Sequence, residues 1–129
     1  HHFQETKDHV KRLEAIFNEE LEIAPEAKKC ASVWSMISEA GDLIEKSMEG
    51  SVRDAAIIAA AQKVEHFEIA TYGTLLTFAN TMGETKIAAY FKETLDEEYG
   101  ADDKLTEIAK MVNPVADKED PNRIGKFRF

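Results

Sequence analysis

Positive charge, cysteine, proline and glycine are all scarce in this 129-residue chain, and each scarcity removes a class of answer. With 16 basic against 25 acidic residues, the formal net charge is −9. A nucleic-acid backbone demands a basic face, so nucleic acid is excluded as a partner. The single cysteine, Cys30, rules out an internal disulfide and fits a reducing, cytoplasmic setting. No run of 18 apolar residues occurs, so no membrane-spanning segment is expected. No signal peptide is visible, but position 1 is not a methionine, so the true start is open. Three prolines and six glycines leave few places for a helix to break. Strand-like alternation is missing throughout, as is any low-complexity segment.

What the chain does contain points to one all-α domain. Hydrophobic residues make up 43% and charged residues 32%, with Ala, Glu, Lys and Leu plentiful. The periodicity predicts a first helix from His1 to about Leu21, with Phe3, Thr6, Val10, Leu13 and Phe17 as its inward seam. His2, Glu5, His9 and Ile16 lie alongside that seam. Ile23-Ala24-Pro25 breaks this helix, and a second follows from about Ala27 to Met48, carrying Val33, Ile37, Ala40, Ile44 and Met48. Gly50 is expected to close the second helix, and Ser51 with Asp54 resembles a capping box for the next. A third helix, about Val52 to Met82, ends at Gly83, and a fourth runs from about Thr85 to Val112. The bundle domain thus covers residues 1–112. After Asn113-Pro114 the pattern dissolves into a tail, 113–129, whose Phe127 and Phe129 could dock on a groove.

The third helix carries the informative anomaly. From Ile58, alternate steps of three and four reach Ala61, Glu65, Glu68, Tyr72, Leu75, Ala79 and Met82. Glu65 and Glu68 stand one turn apart in the middle of this seam. A buried ionised carboxylate costs several kcal/mol unless a cation compensates it, so either Lys and Arg or a metal must do so. The fourth helix repeats the anomaly: Ile87, Phe91, Thr94, Glu98, Ala101, Leu105, Ile108 and Val112 form its seam, with Glu97 beside Glu98. A short turn makes these two helices antiparallel neighbours and puts their central acids at similar height. The first helix adds His2 and Glu5 three residues apart, then Glu5 and His9 four apart. Helix-turn spacing lets two side chains reach one ion, and carboxylates with imidazole suit iron or manganese. Bundles that hold dinuclear metal centres combine such residues from facing helices. His66 points about 100° off the seam and is expected at the surface. Tyr72 is expected to pack in the core. Trp34, Met36 and Met48 are expected in packing or an interface.

The stretches "RDAAIIAAAQKVEHFEIATYGTLL" and "KETLDEEYGADDKLTEIA", with "HHFQET" at the start and "KKC" before the second helix, resemble the YciF-like family of bacterial stress-associated proteins in the ferritin-like superfamily. The resemblance covers roughly residues 1–112. It implies a ferritin-like four-helix bundle whose long crossover contains an extra helix, here the second. It also implies metal-binding roles for His2, Glu5, Glu65, Glu68, Glu97 and Glu98, whereas His9 falls outside the family pattern. Seam arithmetic favours Glu98 over Glu97, and the family motif favours Glu97. Family members open with a further helix bearing an alanine-glutamate-lysine-glutamine motif, so the first bundle helix is expected to be absent or truncated here and the site incomplete as written.

The expected function is therefore a stress-associated protein with a dinuclear iron or manganese centre, and an oxidoreductase activity is open. Its chemistry would be redox handling of dioxygen or peroxide, or metal sequestration. The rival reading is a non-catalytic helical interaction module whose acids pair with Lys and Arg. A homodimer is expected in either case, because Trp34, Met36 and the tail offer exposed apolar surface.

Overall fold

The computed structural model describes residues 2–47 and 49–119. Every regular element among them is helical: α1 (His2–Ala15), a π-helical turn (Ile16–Glu20) continuing it, α2 (Ala31–Lys46), α3 (Ser51–Met82) and α4 (Thr85–Glu119). Among the described residues there is no strand, and no helix is long and apolar enough to cross a membrane. Phe127 and Phe129 of the expected tail, and Met48 of the second helix, lie outside the described residues. The chain divides into two compact units, and α3 and α4 each contribute to both.

The first unit comprises α1, the π-helical turn, the irregular segment up to Cys30, and residues 65–102 of α3 and α4. Its apolar centre is Ile16, Ala79, Ile87 and Ala88, with Leu76, Tyr90 and Phe91 packed against them. One expectation is overturned here. Phe3 and Val10 of the α1 seam are 73% and 53% exposed, while His9 is only 4% exposed. The inward face of α1 runs instead through Glu5, His9, Arg12 and Ile16. The reason is polar: with Phe3 and Val10 turned in, the acids buried on α3 and α4 would face hydrocarbon and lose their polar neighbours. α3 ends as expected. Gly83, at φ +76°, lets Glu84 N–H reach Ala79 O at 2.9 Å and its own N–H reach Asn80 O at 3.2 Å, the Schellman pattern.

The second unit comprises the described residues of 31–64 and 103–119, with Ile58, Ala60 and Ala116 buried and apolar. α2 is shorter than predicted and buries no residue fully. Its inward face is Val33, Met36, Ala40 and Ile44, whereas Ile37, expected inside, is 53% exposed. Gly50 does not close it. Ser47 does, with its N–H and its hydroxyl both donating to Leu43 O, while Arg53 Nη2 donates to Ser47 O at 2.9 Å. Gly50, at φ +97°, sits in the turn before α3, and the Ser51 N–H donates to Glu119 Oε2 at 3.2 Å. α4 also continues past its expected end, through Pro114, because buried Ala116 extends its seam by one more turn.

Candidate metal centre

Three carboxylates meet in the first unit. One oxygen from each of Glu65, Glu68 and Glu98 lies within 4.8 Å of the others, and Glu65 and Glu98 are buried. They meet because the acids occupy seam positions on α3 and α4, and no choice of helix rotation buries Tyr72, Ala79 and Thr94 while exposing Glu65 and Glu98. Glu98 is only 1% exposed, which resolves the competition with its neighbour: Glu98 faces inward and Glu97 lies at the margin.

The electrostatics follow from that burial. Loss of water, the charge on Glu68 and hydrogen bonding to Glu65 push Glu98 up to about 8. Burial, then the neighbouring Glu65, also raises Glu68 above the ordinary carboxylate range. Glu65 Oε2 and both oxygens of Glu98 are buried and receive no aligned hydrogen bond. Among the described residues, no lysine or arginine contacts Glu65, Glu68 or Glu98. A cluster of acids with orphaned oxygens and no organic cation fits a small divalent metal ion, which supplies charge and takes oxygen ligands at once.

The other predicted residues surround this cluster at graded distance. His2 Nε2 is 3.3 Å from Glu65 Oε1, and His2 Nδ1 is 3.7 Å from Glu5 Oε2. His2 is half exposed and Glu5 largely covered. His9, outside the family pattern, is the most deeply placed histidine: its Nδ1 lies 3.1 Å from Glu98 Oε1 and its Nε2 2.9 Å from Glu97 Oε2. Tyr72 packs between the rings of His9 and Phe91, at centroid distances of 6.2 and 6.3 Å. Burial and the charges on Glu68 and Glu98 push its hydroxyl up to about 12, so it stays protonated. His66 is exposed and faces Asp102, away from the cluster.

Arg12 is the residue that sequence reasoning missed. It grips Glu97 through both guanidinium nitrogens and also reaches Glu93. The hydrogen bond to Arg12 holds Glu97 below the usual carboxylate range. A signal existed, since Arg12 stands three residues after His9 and so on the same helical face.

Comparison with known proteins gives a consistent answer. Residues 1–116 match the family described as a domain of unknown function, DUF892. YciF of Escherichia coli K12 is 44% identical over 119 residues, spanning 92% of this chain and 72% of YciF. The crystal structure of the E. coli stress protein YciF superposes with a TM-score of 0.82 at 43% identity, covering 88% of this chain and 71% of that one. YcfI from Rhodopseudomonas palustris superposes with a TM-score of 0.78 at 37% identity, covering 81% and 66%. The helical-bundle fold is thus shared with YciF, and the chain belongs to the DUF892 family.

Proposed function

We propose that this chain is a ferritin-like stress protein that holds a dinuclear iron or manganese centre on Glu65, Glu68 and Glu98, with Glu5 and His2 beside them. The observation that carries the reading is the set of buried, unpartnered oxygens on Glu65 and Glu98. Among the described residues no lysine or arginine reaches them, so in the metal-free protein the acids hold protons, lean on His2 and His9 or repel one another. Bound iron or manganese would supply charge neutralisation and a redox couple for dioxygen or peroxide, or simply be stored. The residues of the chain do the rest. Glu65 and Glu98 present oxygens from opposing helices, Glu68 adds a third at the edge of the cluster, and Tyr72 with Phe91 closes one side against water. The setting that goes with this reading is a reducing cytoplasm, with which the single, exposed Cys30 is compatible. Exposed apolar side chains on α2, Ile37 and Leu43 among them, form the face proposed for a homodimer.

Elemental analysis tests the assignment directly. The purified protein is expected to carry stoichiometric iron or manganese, and Glu68→Ala to lose most of it while keeping its helical circular dichroism. Unchanged metal content in that variant would sink the reading.

One observation favours the rival, a non-catalytic interaction module. Arg12 does pair with acids of α4, Glu93 and Glu97. That pairing stops one residue short of Glu98, which is why the metal reading is preferred. On the rival reading a chelator leaves thermal stability unchanged.

A further inference from the structure

We infer that Tyr72 is a one-electron donor beside the Glu65–Glu68–Glu98 cluster. When iron(II) held there meets hydrogen peroxide, the Tyr72 phenol gives up an electron and a proton and becomes a tyrosyl radical. This rests on the metal-centre reading and deepens it, by naming peroxide as the oxidant and the side chain that completes its reduction.

Reduction of hydrogen peroxide to two waters takes two electrons, and iron(II) going to iron(III) supplies one. The second comes from the chain, or a hydroxyl radical is left behind. In balance, hydrogen peroxide, iron(II), one proton and the phenol give two waters, iron(III) and the phenoxyl radical. The O–O bond and the phenol O–H bond break, and the phenol's proton ends in water. The fold puts one oxidisable ring where that electron is needed. Tyr72 stands one turn beyond Glu68 on the α3 seam, about 6 Å further along the helix axis. Its ring meets His9 edge-on, and His9 in turn lies 3.1 Å from Glu98 Oε1. Only 9% of Tyr72 is exposed, and Phe91 covers another side of the ring. Burial, then the charges on Glu68 and Glu98, keeps the hydroxyl protonated, so electron and proton leave from one O–H bond. A phenylalanine would fill this space without burying a hydroxyl, so packing alone does not account for a tyrosine. The other aromatic donors among the described residues are worse placed. Trp34 is exposed and in the second unit, Tyr99 is exposed, and Tyr90 stands about two turns from Glu98, against the apolar centre. The covering rings of His9 and Phe91 also shield a radical on Tyr72 from coupling to a second tyrosine.

The test loads the full chain with iron(II) in the absence of oxygen, adds an equimolar amount of hydrogen peroxide and freezes the mixture at once. Electron paramagnetic resonance should show a tyrosyl signal, whose hyperfine splitting collapses in protein carrying ring-deuterated tyrosine. Tyr72→Phe should lose most of that signal while keeping the iron content and circular dichroism of the unaltered chain, and should release more hydroxyl radical to a spin trap. The chain has three tyrosines, so the double variant Tyr90→Phe, Tyr99→Phe leaves Tyr72 alone and should keep the signal. This double variant decides the matter even where Tyr72→Phe fails to fold. A signal that survives in Tyr72→Phe, one that vanishes in the double variant, or an iron-loaded unaltered chain that gives none overturns this inference and leaves the metal centre standing. An unaltered chain that binds no iron overturns both.

Discussion

Glu98 binds a proton far more tightly in the folded chain, at about 8, than in the unfolded chain, at roughly 4.3. Between those values the folded state keeps a proton that the unfolded state has already released. Stability of the metal-free protein should therefore fall as pH rises through that window. Glu97, held low by Arg12, acts in the opposite sense and only at more acid pH. The measurement is the urea midpoint of metal-free protein, expected to be higher at pH 5 than at pH 8; a flat profile contradicts the burial argument. Glu98→Gln keeps the shape and removes the charge. It should abolish most of the dependence and raise stability above pH 8 by roughly 1–4 kcal/mol, since an uncompensated buried charge is replaced by a neutral group. At this scale the seam periodicity of α3 and α4 made Glu65, Glu68 and Glu98 legible. Arg12 was passed over, because its one signal, the spacing from His9, is weak against the rule that a lone arginine on an amphipathic helix is usually a solvated one. The depth of His9 depends on which face α1 presents, which its own sequence leaves open.

Helices were predicted where they occur, and their ends and faces were not always so. The Gly83 stop illustrates what local chemistry can settle. Its φ of +76° is open to glycine and strained for alanine, while an added Cβ would meet nothing within 4 Å. Gly83→Ala should thus cost about 1 kcal/mol of backbone strain alone, read as a lowered urea midpoint with an unchanged slope. An unchanged midpoint would mean that the turn relaxes. Gly50 illustrates the opposite. Its local pattern looked like a helix stop, yet the stop is Ser47, assisted by Arg53 of the next helix. Likewise Pro114 looked like the end of α4, but the helix runs to Glu119, whose carboxylate receives the first N–H of α3. Those partners are distant in sequence, so no local rule finds them.

For the molecule as a whole, the decisive measurement is stability with and without metal. An ion held by acids of both α3 and α4 exists only in the folded state, so binding adds to stability by mass action. Iron(II) or manganese(II) at 100 times its dissociation constant should raise stability by about 2.7 kcal/mol, and EDTA should reverse the gain. A melting temperature indifferent to both would favour the interaction module. Family membership and the shared fold follow from residues 1–116 and from the superposition on YciF. The amino-acid sequence by itself determined the helical class and the acidic seams, because composition and periodicity are properties of single elements. Only the tertiary structure decided that α1 turns its histidine and arginine inward and leaves Phe3 and Val10 in water. The physical reason is that a face is chosen by what lies opposite it. Glu97 and Glu93 of α4 take hydrogen bonds from Arg12, and Glu97 lies within bonding distance of His9, contacts that Phe3 and Val10 could not supply.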